Sequence, residues 1–289
     1  MNTRFDNEKL FRALCKAGAL AGLAITFALM AVIVRESVPA WRAAGLSLIF
    51  SQDWNPAGGS YGAAGALAGT VLTAALALAL AVPLAFAAAL FVNSAPPKIS
   101  APLAHALDLL AAIPSVIYGM WGLFILCPLL QGAFARLGFE STGFGLVPSA
   151  LVLALMILPY ISAVMRDVLA QTPASLVESA AGVGCTRWEA TWQIVVRARK
   201  AGLCGAVMIG LGRALGETMA VLFVCGGVSK IPGSLLDGCT TIAATLANDF
   251  AEADGIHKSA LFALGGILLA FEFAIQAAVA PLLKERKGK

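Results

Sequence analysis

The stretch RALGETMAV, residues 213–221, places a cation and an anion four residues apart in an otherwise uncharged part of the chain. The pair is flanked by uncharged residues, 201–212 before Arg213 and 218–229 after Glu217. We therefore expect Arg213 and Glu217 near the middle of a membrane-spanning helix, where a charged side chain costs ~2.5–3.5 kcal/mol on insertion scales. Charges kept at that depth usually face a protein interior or an aqueous path, so the stretch predicts a functional site.

The composition indicates an integral membrane protein. Hydrophobic residues make up 60% of the chain and charged residues only 12%, against about a quarter charged in soluble domains. Six runs are long enough to cross a hydrocarbon core of ~30 Å, which takes ~20 apolar residues. We predict an all-α polytopic fold with six transmembrane helices, at about residues 15–34, 66–91, 107–130, 145–165, 202–227 and 260–283.

The distribution of basic residues predicts the direction of the spans. With the N-terminus in the cytoplasm, fourteen of the twenty Lys and Arg residues fall on the cytoplasmic side and five on the other, while Arg213 lies within a span. This asymmetry favours cytoplasmic termini, with residues 1–14 as an N-terminal segment and 284–289 as a tail. We expect the first span to remain as an anchor, because its length and flanking charges do not suit a cleaved signal.

The segment 166–200 between the fourth and fifth predicted spans is too structured to be a linker. Gly182 and Gly184 break it into two short helices. Residues 172–173, Thr-Pro, suit the N-cap and first position of the first helix. Residues 186–189, Thr-Arg-Trp-Glu, have the pattern of a capping box at the start of the second.

Trp188 and Trp192 then fall on one face of the second helix. An apolar face on a short helix outside the membrane fits a groove in a partner protein. It equally suits packing against the ends of the chain's own helices, and the pattern alone does not choose between the two.

Several chemistries have no support in the residues. The chain has no G-x-x-x-x-G-K-[ST] phosphate loop, so any ATP hydrolysis must come from another chain and we expect no enzyme activity. The six cysteines show no C-x-x-C or Cys/His spacing suited to zinc, and we predict no metal or cofactor. Cys225 and Cys239 lie near the outer side, and whether they pair stays open. No basic face suggests nucleic-acid binding.

Glu178–Ala181, with Gly184 and the apolar residues 194–196 at fixed distances after it, is similar to the E-A-A loop of ABC-importer permeases. Ser179 stands where that loop usually has Ala, and Arg197 stands at its usual Pro. A closer resemblance is carried by four stretches: YGAAGALAGT (61–70), IPSVIYG (113–119), RALGETMAV (213–221) and IPGSLLDGCTTIAATLANDFAEA (231–253). With them the chain, from about residue 50 to its end, resembles the phosphate permease subunits of type I ABC importers, the PstC family.

The resemblance implies a MetI-like permease fold and a set of partners. These are a second permease subunit of PstA type, a dimer of ATP-binding subunits of PstB type and a periplasmic phosphate-binding protein of PstS type. It implies phosphate as the substrate and the bacterial inner membrane as the location. The residues it assigns to coupling with the ATPase are Glu178, Ala180, Ala181, Gly184 and Trp188.

The chemistry of the charged stretch agrees with an anion as substrate. An oxyanion in a low-dielectric path needs fixed donors, and a guanidinium is a planar, permanently charged fork suited to phosphate oxygens. We predict that Arg213 contacts the anion and that Thr218 adds a hydroxyl. We expect Glu217 to hold Arg213 when no anion is present, because the i,i+4 spacing on a helix brings the two to one face. A purely structural ion pair is the alternative.

Other questions stay open at the level of sequence. The residues do not choose phosphate over sulfate or molybdate, and a secondary anion transporter is disfavoured because no internal repeat is present. Glu272 in the sixth span faces either a subunit interface or the substrate path. Residues 114–115, Pro-Ser, free backbone groups within the third span, which either face a cavity or bond a neighbouring hydroxyl. The acidic outer segment 228–258 is either a solvated face or a docking surface.

Overall fold

The computed structural model describes the backbone of residues 2–283 and the side chains of residues 10–281. The predicted tail, 284–289, lies outside the described residues. Within the described part the chain is helical, with two isolated β-bridges, Asn55 with Ser60 and Gly226 with Cys239, and no longer strand. The prediction of an all-α fold is confirmed.

The helices follow one another with short connections at most turns. In chain order they are α1 (Asn2–Ala44), α2 (Ser47–Phe50), α3 (Ala64–Ser94), α4 (Pro97–Ala112), α5 (Ser115–Trp121), α6 (Cys127–Arg136), α7 (Leu146–Ala170), α8 (Ala174–Gly182), α9 (Arg187–Glu189), α10 (Val196–Leu215), α11 (Met219–Leu222), α12 (Ile242–Asp249) and α13 (Gly255–Leu283). A 3-10 turn covers Pro56–Gly58. Two π-helical stretches, Gly122–Leu126 and Ala190–Val195, join α5 to α6 and α9 to α10.

Five helical stretches of the described chain are long and apolar enough to cross a membrane, so the chain is a multi-pass membrane protein. They are Leu10–Ala44, Ala64–Ser94, Ser115–Arg136, Leu146–Ala170 and Gly255–Pro281. They overlap five of the six predicted spans.

The predicted span 202–227 differs from the structure. Helix α10 ends at Leu215, residues 216–218 leave the helical path, and the four-residue α11 follows. Glycine weakens a helix, and the side chains of the next two residues bond nearby backbone instead of leaving it to the helix. The Thr218 hydroxyl donates to the Gly216 carbonyl at 3.3 Å, and Glu217 Oε1 accepts from the Ala220 amide at 3.1 Å.

The predicted span 107–130 is also interrupted. Helix α4 ends at Ala112, and α5 begins only at Ser115. Pro114 lacks an N–H, and the residue before a proline is pushed towards extended backbone. Ile113 accordingly has ψ 127°. The part that crosses the membrane therefore begins after the break.

Small residues let the central helices pack closely, as is usual where lipid supplies no hydrophobic force between helices. Five alanines spaced by three or four residues on α3 are fully buried in the core it shares with α7: Ala74, Ala77, Ala81, Ala85 and Ala89. Helix α10 packs on α7 through Gly202 and Gly210. A methyl group at these positions would lie 2.7 Å from Val168 Cγ1 and 2.4 Å from Ile161 Cδ1.

The bundle has two distinct ends. The loop end is formed by residues 45–63, 137–145 and 223–254, which contact one another: the Gly145 amide donates to the Val224 carbonyl at 2.9 Å, and Trp54 Nε1 donates to Asp249 Oδ2 at 2.8 Å. The opposite end is formed by residues 171–195, and we call it the coupling end after the role predicted for this segment. At the loop end Cys225 and Cys239 are buried free thiols on adjacent segments, and burial raises the pKa of the Cys239 thiol to about 12.

Candidate functional site

Arg213 lies level with the middle of α7, the most buried of the spans. Helices α10 and α7 run antiparallel, since Gly202 meets Val168 and Gly210 meets Ile161. Arg213 is about one turn beyond Gly210. Arg213 therefore lies level with the middle of a helix that is long and apolar enough to span a membrane.

The predicted contact between Arg213 and Glu217 is not made. Because α10 ends at Leu215, the two residues do not share a helix face, and no ion pair joins them although both are described. The Arg213 guanidinium instead lies over the ring of Tyr160 on α7, with its carbon 4.4 Å from the ring centre. Its Nε is buried and has no hydrogen-bond partner among the described residues.

Glu217 and Thr218 belong to the break that follows α10. Glu217 is only 8% exposed, and its carboxylate accepts the Ala220 amide at the start of α11. Thr218 is half-buried, and its hydroxyl donates to the Gly216 carbonyl. Arg213 thus lies in the last turn of α10 and Glu217 and Thr218 lie on the unwound connection that follows, and each has a different local partner.

The hydroxyls of two tyrosines bond the backbone at the break between α4 and α5. The Tyr118 hydroxyl donates to the Leu110 carbonyl at 2.7 Å, and the Tyr160 hydroxyl donates to the Ala111 carbonyl at 2.8 Å. These carbonyls end α4, where helical partners run out. The backbone groups freed by Pro114 were predicted either to face a cavity or to bond a neighbouring hydroxyl. The structure shows the second, because tyrosine hydroxyls bond these carbonyls.

Two further charged groups, Glu272 and Arg166, have local partners. Glu272 on α13 accepts from Gln276 at 3.3 Å, and its Oε1 faces α10 at Gly212, where a methyl group would lie 3.1 Å from it. At the coupling end Arg166 pairs with Asp108 at 3.0 Å.

The capping box predicted at the coupling end is confirmed. The Thr186 hydroxyl accepts from the Glu189 amide, and the Glu189 carboxylate accepts from the Thr186 amide at 2.8 Å. The cap predicted at Thr172 is wrong: Pro173 holds the N-cap position of α8, and the buried Thr172 hydroxyl has no hydrogen-bond partner in the described part of the chain. Gly184 follows the C-cap of α8 with φ +86°, a conformation that disfavours any residue with a Cβ.

The other residues predicted to couple lie around this turn. Ala180 is buried against the chain's own helices, whereas Glu178, Ala181 and Gly184 are exposed. Trp188 stacks edge-on with Trp192, yet it remains 68% exposed. The exposed apolar side chains of this region form what we call the coupling patch: Leu176, Val177, Val183, Trp188 and Trp192.

At the loop end a polar cavity of about 640 Å³ reaches from the surface to Leu222 on α11. Asp249 lies in its wall, where its Oδ2 accepts from Trp54 Nε1 at 2.8 Å and lies 3.6 Å from His257 Nε2. The cavity places polar groups on the loop-end side of the break that holds Glu217.

Residues 81–284 match the family model of the binding-protein-dependent transport system inner membrane component. The phosphate transport system permease protein PstC of Pasteurella multocida is 45% identical over 277 residues, which are 90% of this chain and 87% of the relative. The chain belongs to the PstC family. PstC proteins of Mesorhizobium japonicum and Haemophilus influenzae are 41% and 40% identical, with 93% and 90% of this chain and 88% of each relative covered.

Solved structures support the same fold for the PstC family member described here. A chain of the MetNI methionine ABC transporter in an inward-facing conformation aligns with a TM-score of 0.58 and 15% identity, over 74% of this chain and 93% of the other. An amino acid ABC transporter aligns with a TM-score of 0.53 and 12% identity, over 75% and 91%. The predicted MetI-like permease fold is confirmed.

The contacts of Tyr160 were not predicted from the sequence. The chain has only three tyrosines, and two of them bond the carbonyls beside the Pro114 break. A tyrosine at the centre of a span needs a partner for its hydroxyl, and the Pro114 break provides carbonyls without helical partners. These two features of the sequence together indicated a bond between them. The stacking of Arg213 on the ring was not foreseeable, because it depends on how α10 packs against α7.

Proposed function

We propose that this chain is the membrane permease subunit of an ATP-driven importer and carries inorganic phosphate across the bacterial inner membrane. The partners in this proposal are a PstA-type permease subunit, two PstB-type ATP-binding subunits and a PstS-type periplasmic phosphate-binding protein. The loop end then faces the periplasm, and the coupling end and both termini lie in the cytoplasm. The names and the high coverage of the relatives support the choice of phosphate.

The proposal rests on the position of Arg213 in the bundle and on the side chains that surround it. A full cation lies at the middle of the bundle, and no carboxylate of the described residues forms an ion pair with it. A charge held this deep is rarely kept without a function. The N–H groups of its guanidinium have no acceptor among the described residues, so they are available to the oxygens of a passing anion.

The coupling patch supports the proposed link to an ATPase. Leu176, Val177 and Trp188 are large apolar side chains exposed at the end of the bundle away from the polar cavity. Contiguous exposed apolar surface on a protein marks an interaction site. The helix, glycine turn and capped second helix around it give a rigid shape that a partner's groove can hold.

The experiment is uptake of radiolabelled phosphate by cells that lack every other phosphate transporter and express the chain with the three partner classes. We expect saturable uptake that excess unlabelled phosphate suppresses and that excess sulfate or molybdate does not. Cells whose ATP-binding subunit lacks its phosphate-loop lysine serve as the control and should take up none. Uptake of labelled sulfate or molybdate in preference to phosphate would assign the permease to another oxyanion.

A further inference from the structure

An aromatic face occupies the place beside Arg213 where a carboxylate was expected. The guanidinium carbon lies 4.4 Å from the centre of the Tyr160 ring, well inside the ~6 Å reach of a cation–π contact. Glu217 is turned away, with its carboxylate on the Ala220 amide.

The two kinds of partner differ in what they leave for a substrate. A carboxylate binds the N–H edges of a guanidinium, which are the same donors that a phosphate needs. An aromatic ring attracts the cation through its flat face and leaves those edges free. A ring therefore stabilises a deep cation without competing with the anion.

The ring of Tyr160 is itself fixed from the other side. Its hydroxyl donates to the Ala111 carbonyl at the end of α4. The neighbouring carbonyl, that of Leu110, accepts the Tyr118 hydroxyl. The ring is thus tied both to its own helix, α7, and to the end of α4, and it presents its face to α10.

We propose that Tyr160 is a positioning residue of the anion path: its ring face holds the Arg213 guanidinium in place and leaves the N–H edges of that group free for phosphate. This inference rests on the proposed function. It assigns to an uncharged side chain the role that the spacing of the charges had suggested for Glu217.

The test varies the ring's attraction for a cation at constant size. The complex carries phenylalanine at position 160, or phenylalanine with one, two or three ring fluorines inserted by nonsense suppression, and is reconstituted in proteoliposomes with its ATP-binding and phosphate-binding partners. Fluorine withdraws electron density from the ring face and so weakens its attraction for a cation. We therefore expect phosphate uptake to fall with each added fluorine, by about tenfold over the series, which corresponds to about 1.4 kcal/mol. ATP hydrolysis stimulated by the binding protein should change far less, because the coupling end is untouched.

The same series at position 118 is the matched control. The Tyr118 hydroxyl bonds the same end of α4, but Arg213 does not lie over the Tyr118 ring, so uptake should not follow the number of fluorines. Uptake independent of fluorination at position 160, or an inactive unfluorinated phenylalanine variant that makes the hydroxyl the essential group, overturns the inference. Failure of the parent complex to transport phosphate instead overturns the proposed function.

Discussion

Individual side chains at both ends of the continuous helical stretch 187–215 replace bonds that the helix itself does not make. Glu217 caps α11 after the helix has unwound, and Tyr160 supports the charge that the unwinding leaves without a carboxylate. At the other end Glu189 and Thr186 satisfy each other's backbone amides where α9 begins. In each case the side chain bonds a backbone group or a charge that has no helical partner.

The cap at Glu189 has a definite pH dependence. The Thr186 amide and hydroxyl both donate to the carboxylate and hold the pKa of Glu189 below its ordinary value of 4.5. Because the pKa is lowered in the folded state, the cap is fully present above the ordinary value and is lost as the pH falls through the lowered one. Hydrogen exchange of a peptide covering 186–192, corrected for intrinsic rates, should show constant protection from neutral pH down to about 5 and a loss only at lower pH.

Glu189→Gln removes the titrating group and serves as its control. Its protection should be lower and should not change over the same pH range. A parent protein that loses protection well above pH 5, or one that matches the glutamine variant throughout, contradicts the assigned cap.

At the scale of elements, the breaks decide where the polar groups lie. Pro114 ends one helix and the stretch 216–218 ends another, and the two breaks meet around Tyr160 and Arg213. A third break, the glycine turn between α8 and α9, gives the coupling end its shape. At each break the chain can change direction, which a continuous helix does not allow.

The glycine turn yields a prediction with a control two residues away. Gly184 has φ +86°, whereas Gly182 ends α8 without a positive φ, and neither has a neighbour within 4 Å of an added Cβ. Gly184→Val should therefore distort the turn through backbone strain alone, about 1–2 kcal/mol for a residue forced into this region. We expect lost uptake and weaker co-purification with the ATP-binding subunit at normal membrane levels.

Gly182→Val adds the same side chain nearby without that strain and should leave uptake within about twofold of the parent, a change of less than 0.5 kcal/mol. Equal behaviour of the two variants would show that the shape of this turn does not matter for coupling.

What was foreseeable from the sequence follows from the range of the forces involved. Apolar runs and the Thr186–Glu189 pattern are local, so the helices and the second cap were predictable. The end of α10 at Leu215 depends on whether Glu217 bonds Arg213 or the Ala220 amide, and the partner of Arg213 depends on the packing of α10 against α7. Spacing along the chain does not carry such information, which is why the expected i,i+4 contact failed.

At the scale of the whole molecule, the two ends differ in chemistry. The loop end has a polar cavity with Asp249 and His257 in its wall. The coupling end has an exposed apolar patch with the basic residues of α10 beside it. A membrane protein with such ends is suited to receive a polar solute on one side and a protein partner on the other.

The orientation can be measured with single cysteines in a chain whose six native cysteines are replaced. A membrane-impermeant thiol reagent applied to intact cells should label Glu140→Cys and Glu252→Cys at the loop end. It should label Ala174→Cys and Arg187→Cys only after the membrane is made permeable. All four positions are exposed, so access depends on the side of the membrane, and the opposite pattern would invert the proposed topology.

The central claim is that Arg213 acts on the substrate and is not half of a structural ion pair. The direct measurement is phosphate uptake by Arg213→Gln and by the double variant Arg213→Gln/Glu217→Gln, with membrane levels equalised. Removing one partner of a buried structural pair costs ~3–5 kcal/mol, whereas removing both can be nearly neutral. If Arg213 contacts the anion, both variants reach the membrane and neither takes up phosphate; near-parental uptake by the double variant would show that Arg213 is not needed for transport.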